Sequence, residues 1–360
     1  MTRWDGVPVP DDRHARELLA AVAERTLSFD LSVWQWGDAL TVDGMLEAGE
    51  LLDDSRFTAR MLGFYQRWAI RPLGWVDHLT PGTGALRLAR GADRADGGTE
   101  APPDSEALVA AVLRLATWLR GVPHTPDGLA LYRPDLGTVR ANCWVDTIYH
   151  EPVFLALLAD VSGDVSWRED ALAVWFSHTR ALSSDLGPFL GHSWESSNEL
   201  LRGYAWGRGN AWALLGMVDT LEILPAGAPG RDAAVAEMRA LATAVAEAQD
   251  PSGFWRTLLH DREAYLESST AAMFGAAFTK ARRLSLLPPE FDEPAERAWM
   301  ATRSRIDVDG RFFGVSAWPH AAITRDDDPD HYRRLPTETN WWGQGAAMRA
   351  AAERLRAGFR

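Results

Sequence analysis

The chain has 360 residues, 46% of them hydrophobic, and a formal net charge of −13; this length supports a large buried core, and the acidic balance argues against nucleic acid or an anionic membrane as a partner. Its single cysteine, Cys143, excludes an intrachain disulfide. No apolar run of 18 residues occurs, and the first residues lack the apolar core of a signal peptide, so we expect a cytoplasmic protein.

Most of the chain is predicted to be helical, because apolar residues recur at helical spacing and alanine and leucine are frequent. In chain order, the predicted helices span residues 11–26, 38–53, 55–69, 80–90, 104–120, 147–160, 166–183, 209–224, 231–249, 268–285, 291–305 and 343–357. Because no strands alternate with these helices, a parallel sheet is not expected.

The loops between the helices are of two kinds. Some are rich in Trp, Gly and acidic residues, as in WQWGDAL (34–40) and CWVDTIYHEP (143–152), whereas others, such as LLDDSR (51–56), are short and plain. Helical hairpins would gather the aromatic loops at one end, and six hairpins closed into a ring give an all-α (α/α)6 toroid. The Gly- and Pro-rich segment 90–106 is predicted to be an inserted loop, with residues 1–360 as a single domain.

The sequence contains 17 tryptophans. A buried indole needs a partner for its N–H, whereas tryptophans along a groove suit a ligand with flat apolar faces and polar edges, such as a sugar. The tripeptide Trp-Val-Asp occurs at 75–77 and 144–146, each time before a predicted helix. Asp77 and Asp146 are therefore candidates for the two carboxylates that cleave glycosidic bonds. The alternative is that both residues are helix N-caps.

Arg208 lies between two glycines in YAWGRGNAW, with Trp206 and Trp212 on either side. Flanking glycines let a ligand approach the backbone, and a guanidinium can bind a carboxylate through two hydrogen bonds. We therefore expect these three residues to bind substrate; the alternative is an arginine stacked on tryptophan without a ligand. The segment lacks the third glycine of GxGxxG and no strand precedes it, which argues against a nucleotide site.

His192 in GHSWES is a further substrate-binding candidate, because it lies in a glycine-flanked aromatic loop. Glu195 and Glu199 follow it and could equally be acids of a helix N-terminus. Glu267 is interpreted mainly as a helix cap, and Cys143 as a buried thiol. Neither HExxH nor GxSxG occurs and the nine histidines are scattered, so we expect no metal, no cofactor and no serine nucleophile.

Five motif segments occur in order along nearly the whole chain: WVDTIYHEPVFL (144–155), GHSWESS (191–197), WGRGNAWALLGMVDTLEILP (206–225), GFWRTLLHDREAYLESSTAAMF (253–274) and WWGQGAA (341–347). Together they resemble the unsaturated glucuronyl and rhamnogalacturonyl hydrolases, glycoside hydrolase families 88 and 105, and most closely family 105. The fold of these families is an (α/α)6 barrel, which agrees with the hairpin count.

The resemblance implies that Asp146 is the catalytic general acid and base and that Asp77 is a second aspartate of the site. The resemblance matches Trp144 to a residue that stacks on the sugar. It matches His192, Trp206 and Arg208 to residues that contact the unsaturated uronate. Two departures bear on the substrate: Ala211 replaces a common glycine in RGNGW, and Glu195 replaces a common aspartate after His-x-Trp.

The substrate implied by the resemblance is an oligosaccharide whose terminal uronate carries the C4=C5 double bond left by a polysaccharide lyase. Protonation of C4 in this enol ether makes C5 electrophilic, and water adds there. The hemiketal then opens and the glycosidic link breaks, without a glycosyl-enzyme intermediate. The rule that relates carboxylate separation to retention or inversion does not apply to such a reaction.

Two other interpretations remain. One is a different sugar enzyme on the same toroid, such as an epimerase or a glycosidase acting on saturated sugars; an epimerase would require several histidines, and the aromatic loops offer mainly His192. The other is a non-catalytic, glycan-binding helical protein, although the sequence has no repeat of about 34 or 40–47 residues.

Overall fold

The computed structural model of the chain describes residues 14–31, 36–71, 80–93, 105–126, 128–133, 143–195, 200–202, 204–319 and 329–358. Thirteen α-helices lie within these ranges: α1 (Ala15–Thr26), α2 (Trp36–Leu52), α3 (Ser55–Trp68), α4 (Gly82–Asp93), α5 (Ser105–Gly121), α6 (Thr147–Ser162), α7 (Ser166–Ala181), α8 (Gly207–Ile223), α9 (Arg231–Glu247), α10 (Ser268–Arg283), α11 (Asp292–Arg303), α12 (Pro329–Arg333) and α13 (Trp341–Arg356). A 3₁₀ turn, Pro289–Phe291, leads into α11.

Nine short strands occur in the loops of the described ranges. They are β1 (Cys143–Trp144), β2 (Ser183–Ser184), β3 (Gly187–Leu190), β4 (Ser193–Glu195), β5 (Leu200–Arg202), β6 (Trp255–Arg256), β7 (Leu266–Glu267), β8 (Val315–Ser316) and β9 (Thr337–Glu338). All pairings are antiparallel: β1-β4-β5 form one sheet, and β2-β3, β6-β7 and β8-β9 form three ribbons.

Twelve of the described helices form two concentric rings. The inner helices α2, α4, α6, α8, α10 and α13 contact one another in this order, and α13 closes the ring by contacting α2. The outer helices α3, α5, α7, α9 and α11 each pack on the inner helix that precedes them, and α1 packs on α13. The predicted all-α (α/α)6 toroid is confirmed.

The inner helices α6 and α8 approach each other closely at one point. Pro152, inside α6, has no N–H to donate to the carbonyl of Ile148. At Gly216 of α8, a Cβ atom would lie 2.4 Å from both the Ile148 oxygen and the Tyr149 Cα. The glycine therefore lets the two backbones come together, which fixes the relative position of the N-termini of α6 and α8.

An ionic network lies deeper in the barrel, along the middle and C-terminal parts of the inner helices. Its five acids and five bases are Asp43, Glu47, Asp219, Glu222, Glu353, Arg87, Lys280, Arg283, Arg349 and Arg356. Arg349 and Asp219 are fully buried at its centre and pair at 2.8 Å, and the Tyr149 hydroxyl donates to Asp43 at 2.6 Å. The charges balance, so the network can fill the interior of the barrel.

The helix predictions are correct in type and differ mainly at the ends. The predicted helix 209–224 begins two residues earlier, at Gly207, and the predicted helix 291–305 begins with the 3₁₀ turn. The strands and α12 were not predicted. Most of the predicted loop 90–106 lies outside the described residues, as do residues 75–77. No helix in the described ranges has the length and apolar character needed to span a bilayer.

Candidate active site

The mouth of the barrel is the end at which the inner helices begin. Here the Trp36 ring of α2 lies 5.1 Å from that of Trp342 in α13, and the Arg208 guanidinium of α8 lies 6.0 Å from the same Trp342 ring. A Cβ on Gly207 would lie 3.0 Å from Thr270 of α10. The aromatic loops that precede these helices therefore meet at one end of the molecule.

Asp146 immediately precedes α6 at the mouth. Its backbone is helical (φ −62°, ψ −29°), its side chain makes no capping hydrogen bond, and it is partly exposed. Burial lowers the pKa of Arg208, and the charge of Asp146 is one of several negative charges, after Glu267, that oppose this lowering. The alternative interpretation of Asp146 as a side-chain N-cap therefore does not describe this structure.

Three aromatic residues surround His192. Its ring lies 4.4 Å from that of Trp206 and 5.5 Å from that of Trp144, and its Nδ1 is 2.7 Å from the Tyr332 hydroxyl. The pairing of β1 with β4 places Trp144 beside this loop, and Val145 N donates to the His192 carbonyl at 3.0 Å. Burial, aided by the positive charge of Arg208, lowers the pKa of His192 to about 3, so its imidazole is neutral near neutral pH.

Arg208 is 1% exposed and stacks on Trp206, with 4.7 Å between guanidinium and ring centroid. Nη1 donates to the Ser316 carbonyl at 2.8 Å and to the Ser316 hydroxyl, and Nη2 donates to the Ala317 carbonyl at 3.1 Å. Burial lowers the pKa of Arg208 and the nearby carboxylate of Glu267 opposes this. A guanidinium has five N–H groups, so Nε–H, which has no hydrogen-bond partner among the described residues, and one Nη2–H remain.

Glu267 holds the segment that contacts Arg208. Its buried carboxylate caps α10 by accepting from Thr270 N, accepts from Ser316 N at 2.7 Å and lies 3.7 Å from Arg208 Nη1. The interpretation of Glu267 as a cap is confirmed, and its contacts with Ser316 and Arg208 are additional. Neither Ser316 nor Tyr332 had a sequence signal, since each joins the site from a distant segment.

Trp212 is fully buried on α8, one turn beyond Arg208. Its ring lies 4.9 Å from Tyr149, 5.2 Å from His150 and 6.4 Å from Trp36. It therefore lies beneath the mouth, below Arg208. The predicted residues Asp77 and Glu199 lie outside the described residues, and Glu195 is buried in β4.

The hydrogen bonding of buried indole N–H groups differs between the mouth and the outer ring. Trp175 and Trp255, which contact the outer helix α9, donate to Glu237 at 2.9 Å and to the Val245 carbonyl at 2.7 Å. Six others in the described ranges have no hydrogen-bond partner: Trp144, Trp194, Trp206, Trp212, Trp341 and Trp342. Such donors near an opening suit a ligand rich in hydroxyl and carboxylate oxygens.

A further surface hollow lies apart from this mouth. This hollow, between α1 and the start of α3, has Arg56 in its wall, and Arg56 is already paired with Asp54 and Glu24. It lies where α2 ends, at the opposite end of the barrel. Within the described ranges, no three His, Cys, Asp or Glu side chains are placed to hold a metal ion.

An (α/α)6 barrel whose mouth is lined with tryptophans and carries Asp146 and Arg208 is a suitable scaffold for a carbohydrate-active enzyme. Comparison with known proteins agrees. The sequence model described as Glycosyl Hydrolase Family 88 matches residues 13–358. The chain therefore belongs to glycosyl hydrolase family 88 and is a glycoside hydrolase.

Two curated relatives and one solved structure illustrate the similarity. The unsaturated rhamnogalacturonyl hydrolase YesR of Bacillus subtilis is 23% identical over 357 residues, which cover 96% of each chain. An unsaturated 3S-rhamnoglycuronyl hydrolase of an Alteromonas species is 24% identical over 59% of this chain and 51% of its own. A crystal structure from Salmonella enterica, described as a possible member of family GH105, superposes with a TM-score of 0.83 at 22% identity, covering 99% of this chain and 97% of the other.

Proposed function

We propose that this protein releases a terminal 4,5-unsaturated uronate from oligosaccharides produced by a polysaccharide lyase, by adding water across the C4=C5 bond. The observation that supports this most directly is that Asp146 and Arg208 lie at the N-termini of the adjacent inner helices α6 and α8, within electrostatic range of each other. The relatives named above act on unsaturated sugars according to their names, which favours the same substrate class.

Arg208 is proposed to bind the uronate carboxylate. Its Nη1 hydrogens and one Nη2 hydrogen are bound by Ser316 and Ala317, which orient the guanidinium and leave Nε–H and one Nη2–H for the substrate. Two parallel N–H groups match the two oxygens of a carboxylate. The backbone carbonyls thus preorganise the arginine before substrate arrives.

Asp146 is proposed to carry out both proton transfers. It donates a proton to C4 and accepts one from the water whose oxygen bonds to C5, so the carboxyl group ends in its starting state. The C5 hemiketal opens by breaking its bond to the ring oxygen, which leaves a hemiacetal at C1. That hemiacetal then releases the remaining sugar chain as an alcohol.

The neighbouring side chains are proposed to hold the sugar ring. Trp144 offers a flat, partly exposed surface, the buried Trp206 packs against both His192 and Arg208, and Trp212 forms part of the base of the site. His192 is neutral and hydrogen-bonded to Tyr332, so it can exchange hydrogen bonds with hydroxyl groups without adding charge. Asp77 is proposed as the second carboxylate. We also propose one catalytic domain over residues 1–360 and a cytoplasmic location.

The test is to offer lyase-generated oligosaccharides from pectin, ulvan and glycosaminoglycans and to follow the ultraviolet absorbance of the conjugated double bond. We expect the absorbance to disappear with at least one of them, and chemically reduced, saturated oligosaccharides to remain intact. If none of the three absorbances decreases and the saturated oligosaccharides are cleaved, the proposal is wrong and an ordinary glycosidase is favoured.

A further inference from the structure

One helical turn deeper than the mouth residues Asp146 and Arg208, a further residue lies on the same face of each helix. His150 follows Asp146 by four residues on α6, and Trp212 follows Arg208 by four residues on α8. Residues four apart lie on the same face of a helix, and helical side chains lean toward the N-terminus. His150 and Trp212, whose rings are 5.2 Å apart, therefore form a floor directly beneath Asp146 and Arg208.

His150 differs from the other buried histidines in its hydrogen bonding. It is 4% exposed, and neither Nδ1 nor Nε2 has a hydrogen-bond partner. By contrast, His178 Nδ1 lies 2.8 Å from the Val174 carbonyl and His192 Nδ1 lies 2.7 Å from the Tyr332 hydroxyl. Trp212 Nε1 is also buried without a partner, so the floor has three unsatisfied polar atoms.

The chemistry of these atoms defines what can satisfy them. Burial lowers the pKa of His150 to about 3, so its ring is neutral and presents one N–H donor and one acceptor nitrogen. An ion gains little from such a group, whereas a hydroxyl group both donates and accepts. Buried polar atoms without a protein partner usually bind a water or a ligand, because leaving them unpaired is costly.

We propose that His150 is a further ligand-binding residue, whose imidazole hydrogen-bonds a hydroxyl oxygen on the floor of the site, supplied by the sugar or by a water molecule. The sugar source rests on the proposed function; the water source does not. Trp212 Nε1 provides a second donor at the same place. When the sugar supplies this oxygen, His150 contacts the sugar ring from the floor of the site while Arg208 binds the sugar carboxylate.

The first experiment is a pair of high-resolution crystal structures of the full-length Asp146→Asn variant, unliganded and with an unsaturated disaccharide. We expect an oxygen about 2.7–3.2 Å from a His150 ring nitrogen in at least one of them. An oxygen that belongs to the sugar identifies the sugar as the source; a water present in both structures identifies water. Two structures in which both nitrogens contact only apolar atoms would overturn the proposal.

The second experiment measures the affinity of the disaccharide by calorimetry in the same Asp146→Asn background. If the sugar supplies the oxygen, adding His150→Leu should weaken Kd about tenfold, the value of one lost hydrogen bond. His150→Asn, which keeps one donor and one acceptor, should restore most of the affinity. The matched control is His178→Leu, a buried histidine of α7, which should leave Kd unchanged.

The two proposals fail separately. If wild-type protein consumes no unsaturated oligosaccharide, the proposed function is wrong, but the unliganded structure still tests the oxygen at His150. If wild-type protein is active and His150→Leu changes neither Kd nor the occupancy of that position by oxygen, the proposed function stands and the role of His150 is wrong.

Discussion

At the residue scale, Asp146 is the side chain on which the proposed chemistry depends most directly. Replacing Asp146 with Asn keeps its shape and removes its ability to exchange protons, so kcat should fall roughly 10²–10⁴-fold while KM changes little. The measurement is the loss of double-bond absorbance at several substrate concentrations. The control is Asp160→Asn at the far end of the same helix, where the carboxylate pairs with Arg168. Wild-type turnover by the Asp146 variant would exclude it from catalysis.

Arg208 should contribute to binding more than to turnover. Arg208→Lys keeps a positive charge near Glu267 but removes the paired N–H groups, so KM should rise about tenfold or more with a smaller change in kcat. Arg120→Lys is a matched control, because Arg120 also stacks on a tryptophan, Trp167, at 3.2 Å on the outer ring. An unchanged KM in the Arg208 variant would remove it from carboxylate recognition.

Local sequence identified only part of the candidate site. Arg208, Trp206 and His192 were found because each lies in an aromatic loop before or near an inner helix, and the structure brings these three together. Their partners were not found, since Ser316 lies 108 residues from Arg208 and Tyr332 lies 140 residues from His192. Contacts over such distances depend on how the barrel closes, which no local spacing reveals.

At the element scale, helices were predictable and strands were not. Each inner helix has a long run of apolar and small residues, so its type followed from composition and spacing. The strands are two to four residues long, and pairs such as Cys143↔Trp194 join segments that are far apart in the sequence. The single missing hydrogen bond at Pro152 did not end α6, because the surrounding helices hold the chain.

The close contact between α6 and α8 at Gly216 predicts that a larger side chain at this position separates the two helices. Gly216→Ala would place a methyl group 2.4 Å from backbone atoms of Ile148 and Tyr149, so the helices must separate. We expect a loss of about 1–3 kcal/mol in the free energy of unfolding, measured by urea titration, and a lower kcat/KM because Asp146 and Arg208 move apart. Gly63→Ala is the control: it lies in helix α3 with no atom within 4 Å of the new Cβ. Equal stability of the two variants would show that the close approach is not rigid.

At the scale of the whole molecule, the mouth and the ionic network divide the barrel along its axis. Burial would raise the pKa of Asp219, but Arg349, Lys280 and Arg87 outweigh it and hold the pKa below its usual range. The six inner helices run from the mouth to the opposite end of the barrel. Five of them, α2, α4, α8, α10 and α13, carry the charged residues of the ionic network. The polar interior therefore links the helices that position the mouth.

Asp219→Asn should destabilise the fold strongly. It leaves the charges of Lys280 and Arg349 buried and less well compensated, which costs roughly 3–5 kcal/mol in the free energy of unfolding. Asp292→Asn provides the comparison, because Asp292 pairs with Arg282 at a half-exposed position and should change stability by less than about 1 kcal/mol. Urea titrations of both variants at pH 7 test this; equal losses would mean that the network contributes no more than a surface pair.

Stability should also depend on pH through the buried histidines. Burial lowers the pKa of His150 and His192 to about 3 and that of His178 to about 4. In the unfolded chain these groups bind protons near pH 6.5, so below that pH the unfolded state holds up to three more protons than the folded state. The stabilising contribution is complete above pH 6.5 and is lost as the pH falls toward the folded pKa values.

The expected slope follows from this proton difference. Between pH 6 and 4.5 the free energy of unfolding should fall by up to about 4 kcal/mol per pH unit, since each proton contributes about 1.4 kcal/mol per unit. Calorimetric unfolding at half-unit intervals measures this slope. His178→Leu removes one of the three groups without touching the mouth, so it should make the slope about one third shallower. An identical slope in the variant would show that His178 is protonated in the folded protein.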